Sequence, residues 1–199
     1  MNKNKTSYDK ISEEWSQYRH KSVINKCIAD FAKNFSSGAK VLDVGCGSGE
    51  PIAKFLSEKS FAVTGIDISS KMIEKANGLG LKNAKFLVAD IATFKTKETF
   101  DAIIAFDSIF HINKNEWKKV IKKLATLTRP GGQILFTSGK EKGEVVGDMF
   151  GEPFYYSSLS TNELLKLLAI NNFTVVQATE NYTEKSTGER DLLVVAQKN

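Results

Sequence analysis

A chain of 199 residues, 41% hydrophobic and 26% charged, holds enough apolar material for one sizeable soluble domain and falls short of two. Its two cysteines, Cys27 and Cys46, exclude a disulfide framework and give no basis for a zinc site. The net charge of +5 is spread over scattered lysines, and the densest cluster, KNEWKKVIKK, falls on the polar side of a helical pattern, where it reads as a solvated face rather than a nucleic-acid footprint.

In chain order, the opening MNKNKTSYDK has no apolar secretory run, and stretches such as AIIAF and LLVVA are too short to span a bilayer. The expectation is a cytoplasmic protein with no membrane span, monomer or homodimer. Tyr8, Ile11, Trp15 and Tyr18 recur at helical spacing, and a second helix is expected over 22–35. SSGAK breaks the pattern, and strands then alternate with helices. AKVLDVG reads as a buried strand. Pro51 suits the first turn of a helix whose inner face is Ile52, Phe55 and Leu56. FAVTGID is the next strand, and Ser69 caps a helix carrying Met72, Ile73 and Ala76. AKFLVAD and FDAIIAFD follow as strands, and Trp117, Val120, Ile121 and Leu124 mark another helix. RPGG turns the chain into QILFTS. A polar, Gly-rich stretch interrupts the rhythm before Ser160 and Glu163 form a capping box, and FTVVQA and DLLVVA close the chain as strands.

Alternation of this kind predicts an α/β fold: a Rossmann-like three-layer αβα sandwich around a mostly parallel sheet, with ligands at the carboxyl ends of the strands. The expected organisation is a single domain over 1–199. It comprises an N-terminal helical cap (1–37), a cofactor-binding core (38–138), a substrate-cover segment (139–159), and a C-terminal helix with a closing strand pair (160–199).

The stretch VLDVGCGSGEP places Gly45, Gly47 and Gly49 between a strand and a helix. Three glycines there mark a sharp turn that a ligand approaches closely; a bare tight turn is the blander alternative. A dinucleotide site wants G-x-G-x-x-G, with a pyrophosphate on the helix N-terminus. Here Glu50 stands where that pattern needs glycine, and Asp43 is as awkward beside phosphates as it is comfortable beside a cation. The residues therefore ask for a nucleoside that carries positive charge and no phosphates.

These residues resemble the first motif of the class I S-adenosylmethionine-dependent methyltransferases: an acid, Asp43, followed by G-x-G-x-G over Gly45, Gly47 and Gly49, with Cys46 in a variable slot of the cofactor loop and no chemistry assigned to it. The resemblance implies S-adenosylmethionine as cofactor and S-adenosylhomocysteine as product. It implies a seven-stranded sheet of order 3-2-1-4-5-7-6 with the last strand antiparallel. It also implies that Asp67, 22 residues after Gly45, binds the ribose hydroxyls, that Asp90 meets the adenine amino group, and that Ile68 and Ile91, with Met72, wall the base. Each has a plainer alternative as a turn acid or core residue. YDKISEEW, FDSIFHI and GDMFGEPFYYSSLS look similar to small bacterial methyltransferases related to ubiquinone and menaquinone biosynthesis, which act on small molecules.

The family's acceptor site lies past the fourth strand, at FDSIFHI. Phe106 and Asp107 are expected near the cofactor's methionine portion, with Asp107 facing its ammonium or else capping local backbone. His111 is either a general base or a packed histidine, and Phe110 would wall the acceptor pocket. The N-terminal stripe is core or a lid; as a lid it would bring Tyr8, Tyr18 and Arg19 near the methionine carboxylate. Tyr155 and Tyr156 belong to a substrate cover or to a packed surface loop. No carboxylate set suggests a metal. A small-molecule methyl acceptor is the leading partner. Nucleic acid is disfavoured because DSIF replaces the Asn/Asp-Pro-Pro-aromatic motif of amino-methylating enzymes. An RNA methyltransferase of another kind, a nicotinamide oxidoreductase and a non-catalytic cofactor-binding protein stand as alternatives.

Overall fold

The computed structural model describes residues 3–199, so the first two residues of the expected 1–37 segment lie outside it. Two short helices, α1 (Lys3–Lys10) and α2 (Ser12–His20), meet at the buried Ile11, and α3 (Lys26–Ala32) follows. The aromatic stripe thus runs over two helices instead of one, and the helix expected over 22–35 shortens to α3. The core then alternates: β1 (Lys40–Val44), α4 (Ile52–Glu58), β2 (Ala62–Asp67), α5 (Ser70–Gly78), β3 (Ala84–Val88), β4 (Phe100–Ala105), α6 (Trp117–Leu127) and β5 (Thr128–Ser138). Tight turns at Ile109–His111 and Lys114–Glu116 lie between β4 and α6. A hairpin of β6 (Gly143–Met149) and β7 (Glu152–Ser158) interrupts the series, before α7 (Thr161–Ile170), β8 (Phe173–Glu184) and β9 (Gly188–Lys198) end it.

The sheet order is β3-β2-β1-β4-β5-β9-β8, which is the expected 3-2-1-4-5-7-6 once the separate β6–β7 pair is set aside. Strands β1 to β5 run parallel, and β9 is antiparallel to both β5 and β8. Side chains alternate across the sheet and divide the core in two. Leu42, Ile103 and Phe136 pack with Trp117, Ile121 and Leu164, while Val41, Ile104 and Leu135 pack with Ile28, Leu56 and Ile73 on the other face. That burial on both faces is why β1 and β4 are mostly apolar, with Val41, Leu42 and Val44 in one and Ala102 to Ala105 in the other.

Helix ends follow local chemistry. Ser69 accepts a hydrogen bond from the Met72 amide at 3.1 Å, and Ser160 with Glu163 forms a reciprocal capping box. Helix α1 is docked by polar groups. Asn4 donates to the Tyr155 carbonyl and accepts from its amide, both at 2.8 Å, and Ser7 donates to the Pro153 carbonyl at 2.7 Å. The Gly-rich stretch is a β-hairpin rather than an irregular loop, and it packs against α1. Trp117, whose indole N–H donates to Ser157 at 3.0 Å, anchors it from beneath.

Candidate active site

A cleft of about 630 Å³ opens at the carboxyl ends of β1, β2 and β4, with α1 and α2 on one side and the hairpin on another. Its floor is the glycine turn. Gly45 and Gly47 have φ of 73° and 53°, a region open to glycine at little cost. A Cβ on Gly45 would lie 2.3 Å from Cβ of Ser108, whose hydroxyl donates to the Val44 carbonyl at 2.6 Å. The close packing of Ser108 on Gly45 links the end of β1 to the loop after β4. Gly49 belongs to the same turn but faces Leu79 and Phe86 and does not line the cleft.

Asp67, at the end of β2, accepts from the Gly47 amide at 3.0 Å and from the Ser69 amide at 2.8 Å, so it fixes the turn from the neighbouring strand. Desolvation pushes its carboxyl up to about 6. Asp43 is 1% exposed, and its Oδ2 has no hydrogen-bond partner. Burial pushes this carboxyl up to about 7, with Arg19 acting in the opposite direction and Asp67 adding to the rise. Arg19 lines the cleft, stacks over the Trp15 ring at 5.7 Å and donates to the Glu50 carbonyl at 3.3 Å. The Glu50 carboxylate is held by His20 at 2.9 Å and Lys54 at 3.0 Å.

Ile68, Asp90 and Ile91 line the region between β2 and β3, and one oxygen of Asp90 already accepts from the Ala92 amide at 2.8 Å. Cys46 and Phe106 also line the cleft. Met72 does not: it is wholly buried behind the wall. Tyr18 does not either. It is 57% exposed and stacks on the outer side of Trp15, and it is Trp15, one helical turn earlier, that reaches the cleft.

Asp107 departs most from its expected part. Its carboxylate is clasped by Arg190, with Nη2 at 2.7 Å from Oδ2 and Nε at 3.1 Å from Oδ1, and Thr137 donates to Oδ1 at 3.1 Å. Arg190 also lies over the Phe106 ring at 5.1 Å. A carboxylate held by a planar guanidinium fork is already neutralised before any ammonium approaches. Nothing local in the sequence marks Arg190, which comes from β9.

His111 sits on the cleft wall with both ring nitrogens engaged. Nδ1 is 2.9 Å from the Tyr155 carbonyl, which only accepts, so Nδ1 carries the proton. Nε2 is then bare and accepts from the Tyr8 hydroxyl at 2.9 Å. Burial lowers the imidazole to about 4, and desolvation raises the Tyr8 phenol above its ordinary value. Asp9, next to Tyr8, accepts from the Ser69 hydroxyl at 2.6 Å. The dipeptide Tyr8–Asp9 therefore ties the N-terminal helices to both sides of the cleft.

The hairpin register sorts the two tyrosines. Tyr155 pairs with Val146 and both line the main cleft, whereas Tyr156 pairs with Val145 and both line a second cleft together with Phe110. Phe110 and Tyr156 are thus not in the main cleft, although their rings pack against His111. Among the described residues, no group of three or more His, Cys, Asp or Glu side chains is gathered as a metal site, and no helix is long and apolar enough to cross a membrane.

The sequence pattern described as "Methyltransferase domain" matches residues 41–132. The chain is 30% identical over 143 residues to a ubiquinone biosynthesis O-methyltransferase of Chromobacterium violaceum, covering 66% of this chain and 60% of that one. It is 33% identical over 132 residues to a tRNA (carboxymethyluridine(34)-5-O)-methyltransferase of Arabidopsis thaliana, covering 65% of this chain and 31% of that one. The chain spans less than two thirds of the length of these relatives. In fold it is similar to the 1,6-didemethyltoxoflavin-N1-methyltransferase of Burkholderia thailandensis, solved with 1,6-didemethyltoxoflavin and S-adenosylhomocysteine. The TM-score is 0.75 at 18% identity, over 98% of this chain and 87% of that one. The fold and the matched core define a Rossmann-like methyltransferase domain. Residues 41–132 carry the methyltransferase-domain pattern, and the chain resembles the class I S-adenosylmethionine-dependent methyltransferases.

Proposed function

We propose that the chain binds S-adenosylmethionine in the main cleft and transfers its methyl group to a small-molecule acceptor, releasing S-adenosylhomocysteine. The observation that carries this reading is Asp43, a buried carboxylate with one oxygen unpartnered, beside a turn that excludes side chains. A buried acid in that condition is stabilised by a cationic ligand and repels a pyrophosphate. The remaining residues fit the same group. Two of the roughly four lone-pair sites of Asp67 are taken by backbone amides, and the rest are free for ribose hydroxyls. Ile68 and Ile91 offer apolar walls for a flat base, Asp90 keeps an oxygen for its amino group, and Arg19 suits a carboxylate.

When bound, the sulfonium supplies an electrophilic methyl carbon. The chain's own residues then hold the acceptor atom in line, at about 3 to 3.5 Å, and exclude water. Helices α1 and α2 and the hairpin enclose the cleft for that purpose. Where the acceptor loses a proton, Tyr8 and His111 take it: the acceptor proton moves to the Tyr8 oxygen as the Tyr8 proton moves to Nε2. A histidine lowered this far accepts late, as the acceptor atom becomes acidic by gaining the methyl group.

The test is release of S-adenosylhomocysteine over a metabolite library, with release by at least one compound expected. Binding of S-adenosylhomocysteine with no turnover on any acceptor would instead favour a non-catalytic binding protein. Action on RNA is a second reading, favoured by the net charge of +5 and by the tRNA-modifying relative. Tight, salt-sensitive binding of tRNA in a gel shift would support it over the first.

A further inference from the structure

The second cleft, about 610 Å³, meets the main one at Asp107 and lies over the ends of β5 and β9 under the hairpin. Its charge is opposite to that of the chain: five carboxylates and two cations line it, in a protein of net charge +5. Both cations are already paired, Arg190 with Asp107 and Lys142 with Glu163. Glu144 is taken by Lys114 and the Tyr155 hydroxyl. Among the described residues, Glu141, Glu189 and Asp191 have no ion-pair partner, so the charge left open to a ligand is negative.

Two observations independent of that charge point to a ligand. The Ser138 hydroxyl, on the wall of this cleft, is buried and has no hydrogen-bond partner. Phe110 and Tyr156 present a pair of rings with centroids 5.6 Å apart, of the kind that attracts a cation to its faces. We propose that the second cleft recognises an organic ammonium group, and that the methyl acceptor carries this cationic end while its reacting atom lies beyond Asp107 in the main cleft. Calling the bound cation an acceptor rests on the methyl-transfer reading; recognition of the ammonium does not.

Three probes that share a phenylethyl group and differ in the polar end test it: 2-phenylethylamine, 2-phenylethanol and 3-phenylpropionate, titrated into the full chain at pH 7 and followed by ligand-observed NMR. The amine is expected to bind at least about tenfold more tightly than the other two. Glu189→Gln combined with Asp191→Asn, both exposed positions, should erase about that factor, and Tyr156→Ala should weaken the amine as well. Equal binding of all three probes, or amine binding that survives the double variant, would overturn the proposal. S-adenosylhomocysteine titrated into the same samples reports on the cofactor reading alone, and its affinity should be the same in wild type and the double variant.

Discussion

The hydroxyl of Tyr8 and Nε2 of His111 lie 2.9 Å apart, although 103 residues separate them in the chain. With Nδ1 committed to the Tyr155 carbonyl, the imidazole has one tautomer, and its bare nitrogen faces the phenol. Removing the phenol oxygen alone breaks the relay while keeping the ring and its packing on Phe154. Tyr8→Phe should therefore reduce turnover by about 10²-fold and leave cofactor affinity within about twofold. Stopped-flow turnover beside a binding titration checks both; an unchanged rate removes the pair from proton transfer.

Asp43 makes binding depend on pH in a defined direction. In the free protein its carboxyl is raised to about 7, so below that it is mostly protonated. A bound cation favours the ionised form and lowers this value, so binding releases a proton. Affinity for S-adenosylmethionine should rise from pH 6 to about pH 7 and level off above it. Asp43→Asn should flatten that dependence. Calorimetry in two buffers of different ionisation heat measures the proton released.

Gly45 and Gly47 separate steric from conformational cost. At Gly45 a methyl group collides with Ser108, whereas at Gly47 the nearest atom is Nε1 of Trp15 at 3.6 Å. Gly47→Ala meets only the left-handed backbone penalty, about 1–2 kcal/mol. Gly45→Ala should be the more destabilising of the two in urea unfolding, and it should displace the loop after β4.

Arg190 and Asp107 are 15% and 26% exposed, and their geometry is bidentate. Arg190→Ala leaves the Asp107 charge half-buried without its partner, a loss of about 1–3 kcal/mol. Lysine, which cannot reproduce the fork, should recover only part of it. Chemical denaturation of the two variants tests the order.

The strands were legible because β1, β4 and β5 are covered on both faces, so their apolar runs need no partner to be recognised. The glycine turn and Asp67 were legible because the chemistry of close approach is local. The hairpin was not. Residues 143–158 are held by Asn4, Ser7 and Trp117, which lie far away in sequence, and Gly143 and Gly147 blur any strand periodicity. The pairing of Asp107 with Arg190 spans 83 residues and leaves no local trace. Tyr18 and Trp15 share a helical stripe, and only the crossing of α2 over the turn decides which of them faces the cleft. Met72 has the apolar character of a base-stacking wall and of core alike, and packing places it in the core.

The most direct measurement is a calorimetric titration of S-adenosylmethionine into the wild-type chain and into Asp67→Ala. Saturable heat with one site is expected for the wild type, and affinity weaker by about 1–3 kcal/mol for the variant, the scale of an unmet polar partner. No heat with the wild type, or equal affinity for both proteins, would contradict it.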